Sequence, residues 1–284
     1  MPVAAAFVEE LRRKIAAIEA RPLVAPGGAV PGDGLRRAGE ARSVVPLGVA
    51  EIDRLLGGGL ARGDLHEVKG AAPRQEGAAA GFALALAARA MAAGPGDLLW
   101  VQQAMSAHEA GTPYGPGLAL FGLNPGRLLI VRAGNARDTL WAAEEGLSCR
   151  ALALVLAELW EARALSLIAS RRLRLAAQAS GVPALLLRAP GADAPSAAST
   201  RWRVAAHPGN AADLPAHALG RPRWKLALDK NRGGRLGAWT VEWKSDAYRF
   251  LLSPAHARPA HSGGMAAAPS DRQDRTGPAP RRAG

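Results

Sequence analysis

The sequence has a single cysteine, Cys149, and so cannot build a disulfide framework. No cysteine/histidine cluster has zinc-ligand spacing, and no metal is expected. No apolar run reaches the length that spans a bilayer. The N-terminus lacks the hydrophobic core of a secretory signal. A cytoplasmic protein without a membrane partner is expected. Tyrosine and phenylalanine are scarce, with 2 and 4 residues, against 7 tryptophans. No nucleophile-and-base arrangement is legible. Glu144 and Glu145 are adjacent, so on a helix they face different sides. His108, His207, His217 and His256 show no triad or ligand pattern. No position is therefore assigned a catalytic role.

What is present is positive charge. The net formal charge is +12 and the isoelectric point is near 11.1. Residues 1–41 carry 6 basic and 5 acidic side chains, residues 254–284 carry 5 and 2, and residues 201–250 carry 10 and 4. The excess sits late in the folded part, which a floppy basic tail does not explain. Such a balance fits a polyanionic partner, most often nucleic acid. The Ala, Arg, Gly and Pro richness of a GC-rich genome raises the same count, so both explanations stay open. With 49% apolar residues, the chain has material for a sizeable core.

Along the chain, Phe7, Val8, Leu11, Ile15 and Ile18 form one stripe, predicting an amphipathic helix over 1–20. A Pro/Gly-rich linker follows over 21–42. Leu65–Val68 reads as a short strand, and Gly77–Ala93 as an alanine-rich helix. Leu98–Gln102, Leu128–Arg132, Ala151–Leu156 and Pro183–Arg188 read as apolar strands. Asn135 caps a helix over 136–147, and residues 163–179 form an arginine-rich helix. Alternating strands and helices predict an α/β fold with a parallel sheet. After residue 200 the period becomes two. Trp202, Val204, Trp224, Leu226, Leu228, Trp239, Val241 and Trp243 alternate with polar residues, as in half-buried antiparallel strands. Asn231–Gly237 turns a hairpin. That spacing places the tryptophans in the core rather than in base stacking. The region from 253 to 284 is a basic tail expected to be disordered.

The loop after Leu65–Val68 stands where phosphate binds in many α/β proteins, because helix N-terminal amides and the helix dipole favour an anion. ATP hydrolysis needs more: a lysine on the outer phosphates and a Ser/Thr hydroxyl on magnesium, as in GxxxxGK[ST]. Gly70 and Gly77 are plausible loop glycines, but Ala78 and Ala79 stand where Lys and Ser/Thr belong. Glu76 would repel phosphate, and the nearest lysine, Lys69, precedes the loop. At the end of ALALVL a magnesium-organising Asp is expected; Ala157 is there, followed by Glu158, which could substitute for it. No cofactor is expected.

The upstream segment resembles the lead-in of the RecA/RadA family: Gly48, the Ile52–Leu56 turn, Gly57–Leu60, Gly63, then the strand. The resemblance implies a RecA-like P-loop core over 43–252, with a mostly parallel sheet, flanking helices and added C-terminal antiparallel strands. DTLWAAEEGL at 138–147, ASRRLRLAAQASGVPALLLR at 169–188, TRWRV at 200–204 and LDKNRGGRLGAWTVEW at 228–243 resemble the ImuA family. These are RecA-like proteins of bacterial damage-inducible mutagenesis cassettes. That resemblance implies a role in SOS translesion synthesis beside ImuB, an inactive Y-family polymerase relative, and indirectly an error-prone replicative-type polymerase. Self-association stays open. Lys230-Asn231-Arg232 resembles the stretch that in RecA filaments reaches toward the neighbour's ATP. Here, with Arg235, it is a candidate contact for DNA phosphate or an acidic partner, or a solvated hairpin tip. Arg171, Arg172 and Arg174 lie on one helix, and Arg171 and Arg174 share a face. They are candidate contacts too, or a solvated face. Two other readings remain: a SulA-type cell-division inhibitor, although such proteins are shorter and lack the basic hairpin, and an ATPase with an atypical loop.

Overall fold

The computed structural model describes Arg13 and residues 43–161, 164–189, 194–209 and 220–253. The helix expected over 1–20, the linker 21–42 and the tail 253–284 lie outside the described residues, apart from Arg13 and Ser253.

Val44–Val45 (β1) pairs antiparallel with Leu60–Ala61 (β2), and Ala50–Leu55 (α1) lies between them in sequence. Gly59 makes this close approach possible. Its φ is +141°, and a Cβ there would collide with the Val45 carbonyl. The remaining strands form one nine-stranded sheet in the order β11-β10-β9-β8-β3-β7-β6-β4-β5. They are β3 (Leu65–Gly70), β4 (Asp97–Gln103), β5 (Leu128–Ala133), β6 (Leu152–Leu159), β7 (Ala184–Arg188), β8 (Thr200–His207), β9 (Arg223–Asn231), β10 (Gly237–Lys244) and β11 (Arg249–Leu252). From β5 to β8 neighbouring strands are parallel; from β8 to β11 they are antiparallel. The expected α/β architecture with a mostly parallel sheet and an antiparallel extension is thus present.

The helices follow from local signals. Glu76–Ala92 (α2) is alanine-rich, with strong helix propensity. Asn135 opens Ala136–Leu147 (α5): its Oδ1 accepts from the Asp138 amide at 2.9 Å. Ser166 opens Leu167–Ser180 (α6) by accepting from the Ala169 amide at 3.1 Å, which is why this helix starts four residues later than the arginine-rich run. Gly181 ends it at φ +81°. The Gly/Pro-rich stretch after β4 is not irregular throughout. It holds two short helices, Ala104–Ala110 (α3) and Gly115–Leu120 (α4).

All eight residues of β6 are buried, as suits a central strand covered on both faces. One core joins α1, α2 and the extension. In it Phe82 of α2 meets Trp202, Trp224 and Phe250 with ring centroids 5.6, 6.0 and 5.4 Å away. The second core lies beneath α5 and α6. Trp202, Trp224, Trp239 and Trp243 are all buried, as their spacing predicts. Their strands leave the opposite face, with Arg203 and Lys225 exposed, toward solvent.

Beneath this extension His66 of β3 is fully buried. The Thr200 hydroxyl donates to its Nδ1 at 2.8 Å, and its Nε2–H donates to the Ala61 carbonyl at 2.9 Å. Trp202 Nε1 donates in turn to Thr200 Oγ1 at 3.2 Å. Burial holds the imidazole below its ordinary pKa and keeps it neutral in the fold.

Candidate functional site

Candidate chemistry gathers in two places: the loop between β3 and α2, and the cationic junction between α6 and the β9–β10 hairpin.

The loop is stapled to β8. The Ala71 amide donates to the Val204 carbonyl at 2.8 Å, and the Ala206 amide donates to Gln75 Oε1 at 2.7 Å. Arg74 sits at φ +69°, an uncommon backbone for a side-chain-bearing residue. Six residues separate Gly70 from Gly77, two more than the GxxxxGK[ST] spacing. Among the described residues no side chain caps α2; Glu76 occupies its first turn and supplies the negative charge that the helix dipole favours. Ala79 is fully buried in the main core, and Ala78 packs against it.

Across from this helix start, Glu158 closes the end of β6. Its Oε1 accepts from Trp100 Nε1 at 2.8 Å; its Oε2 accepts from Gln102 Nε2 at 3.3 Å and from the Ser106 hydroxyl. Burial pushes this carboxyl above its usual range, against the pull of those three donors. Between α2 and the ends of β6 and β7 lies a cavity of about 150 Å³.

The second place is built on Glu67, wholly buried on β3. Arg201 Nε of β8 donates to its Oε2 at 2.7 Å, and Arg188 Nη1 of β7 approaches at 3.5 Å. Glu67 Oε1 has no hydrogen-bond partner among the described residues. Arg201 Nη2 reaches the Ala194 carbonyl and Ser196 Oγ, and the Lys230 ammonium donates to the Ser196 carbonyl at 2.7 Å. Burial first, then the Arg201 charge, lowers the Lys230 pKa; Arg232 and Arg174 push the same way and Glu67 opposes. The α6 arginine and the hairpin cations are therefore close enough to feel one another.

The six candidate contact residues divide. Arg174 donates to Asp64 at 2.7 Å and is largely buried. Arg172 forms a two-pronged pair with Glu144 of α5, at 2.7 and 3.1 Å. Lys230 is tied to Ser196. Arg171, Arg232 and Arg235 are exposed, with no ion pair among the described residues. Asn231 shapes the hairpin tip: its Nδ2 donates to the Leu55 and Arg235 carbonyls at 3.1 and 3.0 Å. The sequence offered no sign of the Glu67–Arg201–Ser196 link, because its members come from segments far apart in the chain. Lys225, exposed toward the other end of β9, was likewise not singled out.

Among the described residues, no group of three His, Cys, Asp or Glu side chains is placed to hold a metal ion. No described helix is long and apolar enough to cross a membrane. No family model matches the chain. It is similar to Protein ImuA of Caulobacter vibrioides, represented by strains NA1000 / CB15N and ATCC 19089 / CIP 103742 / CB 15, at 35% identity over 214 residues. That match covers 70% of this chain and 83% of the relative. On that extent and identity, the chain belongs to the ImuA family.

Proposed function

We propose that this chain is a non-catalytic, RecA-like accessory protein of an error-prone translesion synthesis complex in the bacterial SOS response. It acts in the cytoplasm as an adaptor for an ImuB-like inactive Y-family polymerase, and through it serves an error-prone replicative-type polymerase. The observation that carries the reading is the β3–α2 loop. A strand, a loop and a helix N-terminus stand where a P-loop protein binds nucleotide, but the side chains there do not fit a magnesium nucleotide. Ala78 and Ala79 offer neither ammonium nor hydroxyl, Glu76 repels phosphate, and Glu158 is engaged by three internal donors. Family membership supplies the setting, since ImuA proteins belong with mutagenesis cassettes.

A contact with DNA is the second part of the reading. It rests on the open face of the antiparallel extension and the flanking α6. There the exposed cations Lys225, Arg232, Arg235 and Arg171 hold no ion pair among the described residues. Because the tryptophans are buried, this face offers phosphate contacts rather than base stacking.

The adaptor role is tested by co-purification of the full-length chain with ImuB. A complex that survives gel filtration is expected, unchanged by ATP and magnesium. Failure to retain ImuB, or a requirement for ATP, would overturn the reading.

A further inference from the structure

The cavity between α2 and the ends of β6 and β7 has about the volume of an engineered apolar cavity that accepts benzene. Leu159, Leu187, Trp160 and Ala80 supply apolar surface. Trp160 and Leu187 are half-exposed, so the cavity opens to solvent. Its charged lining is two carboxylates and one arginine. Glu158 is already engaged from inside by Trp100, Gln102 and Ser106. Glu76 lines the same space, half-buried, and makes no hydrogen bond or ion pair among the described residues. Arg188 also borders the cavity, but its guanidinium lies against Glu67 at 3.5 Å.

A cavity with this lining disfavours a phosphate and suits an apolar ring with a positive charge beside it. Glu76 also offsets the positive end of α2, which would otherwise repel a cation. We infer that this cavity receives one aromatic side chain of a partner protein, with a basic group next to it paired to Glu76.

Phenethylamine serves as the probe, since it carries a phenyl ring and an ammonium. 2-Phenylethanol is its uncharged counterpart, and pyrophosphate stands for the anionic alternative. The full-length chain is titrated with each, following amide shifts of Gly77 and the indole shift of Trp160 by NMR. Both ring compounds are expected to shift these signals at low salt. The amine should bind about threefold to fivefold more tightly than the alcohol, the scale of one partly exposed ion pair. Glu76→Gln should erase that preference while leaving ring binding intact. Ala80→Leu, which fills the cavity from a helical position, should weaken both ring compounds at least tenfold. The inference is overturned if neither ring compound binds, if amine and alcohol bind equally, or if pyrophosphate displaces the amine. It is also overturned if the preference survives Glu76→Gln, a variant of a partly exposed side chain that leaves the core intact. ImuB is absent from this titration, so its outcome is independent of the co-purification.

Discussion

Arg232 and Arg235 are the two hairpin cations without an ion pair among the described residues, and replacing both by alanine perturbs the proposed DNA face most directly. Each phosphate contact on duplex DNA contributes about 0.9 to the slope of log affinity against log salt. Two lost contacts should flatten that slope by about 1.8, so the affinity gap between wild type and variant should shrink about twelvefold from about 50 to about 200 mM salt. Lys230 is different. Its ammonium is committed to the Ser196 carbonyl at 2.7 Å, so adding Lys230→Ala to the pair should leave the slope where it is. The assay is fluorescence anisotropy with a labelled duplex of mixed sequence across a salt series, supported by circular dichroism to show that the variants fold. An unchanged slope in the double variant would remove the hairpin from the DNA face. A slope that falls only when Lys230 is also replaced would refute the division between structural and exposed cations.

Glu67→Gln keeps the side-chain shape but removes a buried carboxylate that faces both Arg188 and Arg201. Losing that charge from a buried ion pair should cost about 3 kcal/mol, read as a drop of about 1.5 M in the urea midpoint for an m-value of about 2 kcal/mol/M; a drop under a third of that would show the pair to be dispensable. His66 has its pKa lowered by burial, so the unfolded chain takes up a proton first as pH falls. Its contribution is complete above about 6.5 and is lost from there down to the lower folded pKa, at up to about 1.4 kcal/mol per pH unit. Glu158, whose pKa is raised by burial, works in the opposite sense: its folded form favours the proton, so stability rises as pH falls through that raised value. Comparing stability against pH for wild type and His66→Gln isolates the histidine; identical slopes below pH about 6.5 would show that His66 does not titrate differently on folding.

Much of this fold is legible one segment at a time. Asn135 announces α5 because a capping side chain acts on the next three residues, and the period-two tryptophans announce the core because alternation is a property of a single strand. Relations between strands are not local, and there the sequence falls short. Residues 200–207 read as an antiparallel strand, and β8 does pair antiparallel with β9; its parallel pairing with β3 on the other side leaves no mark in its own residues. β11 is only four residues long and escapes any periodicity. Of the arginines on α6, Arg174 looks as free as Arg171 in the sequence, because Asp64 lies 110 residues away. At the loop the missing lysine and hydroxyl are plain from residue types, whereas the internal donors to Glu158 come from β4 and α3 and emerge only when those elements meet.

The position of β3 has a consequence for how the chain is made. It is synthesised well before its two neighbours in the sheet, β7 and β8, and the bond from His66 to Thr200 spans 134 residues. Until Thr200 has emerged, β3 lacks one flank, His66 lacks the hydroxyl that meets its Nδ1, and Glu67 faces the future core without Arg201. Closing so long a loop is slow compared with local pairing. Premature termination before β7 would therefore leave an unflanked central strand with neither Arg188 nor Arg201 beside Glu67, the kind of exposed strand edge that favours aggregation.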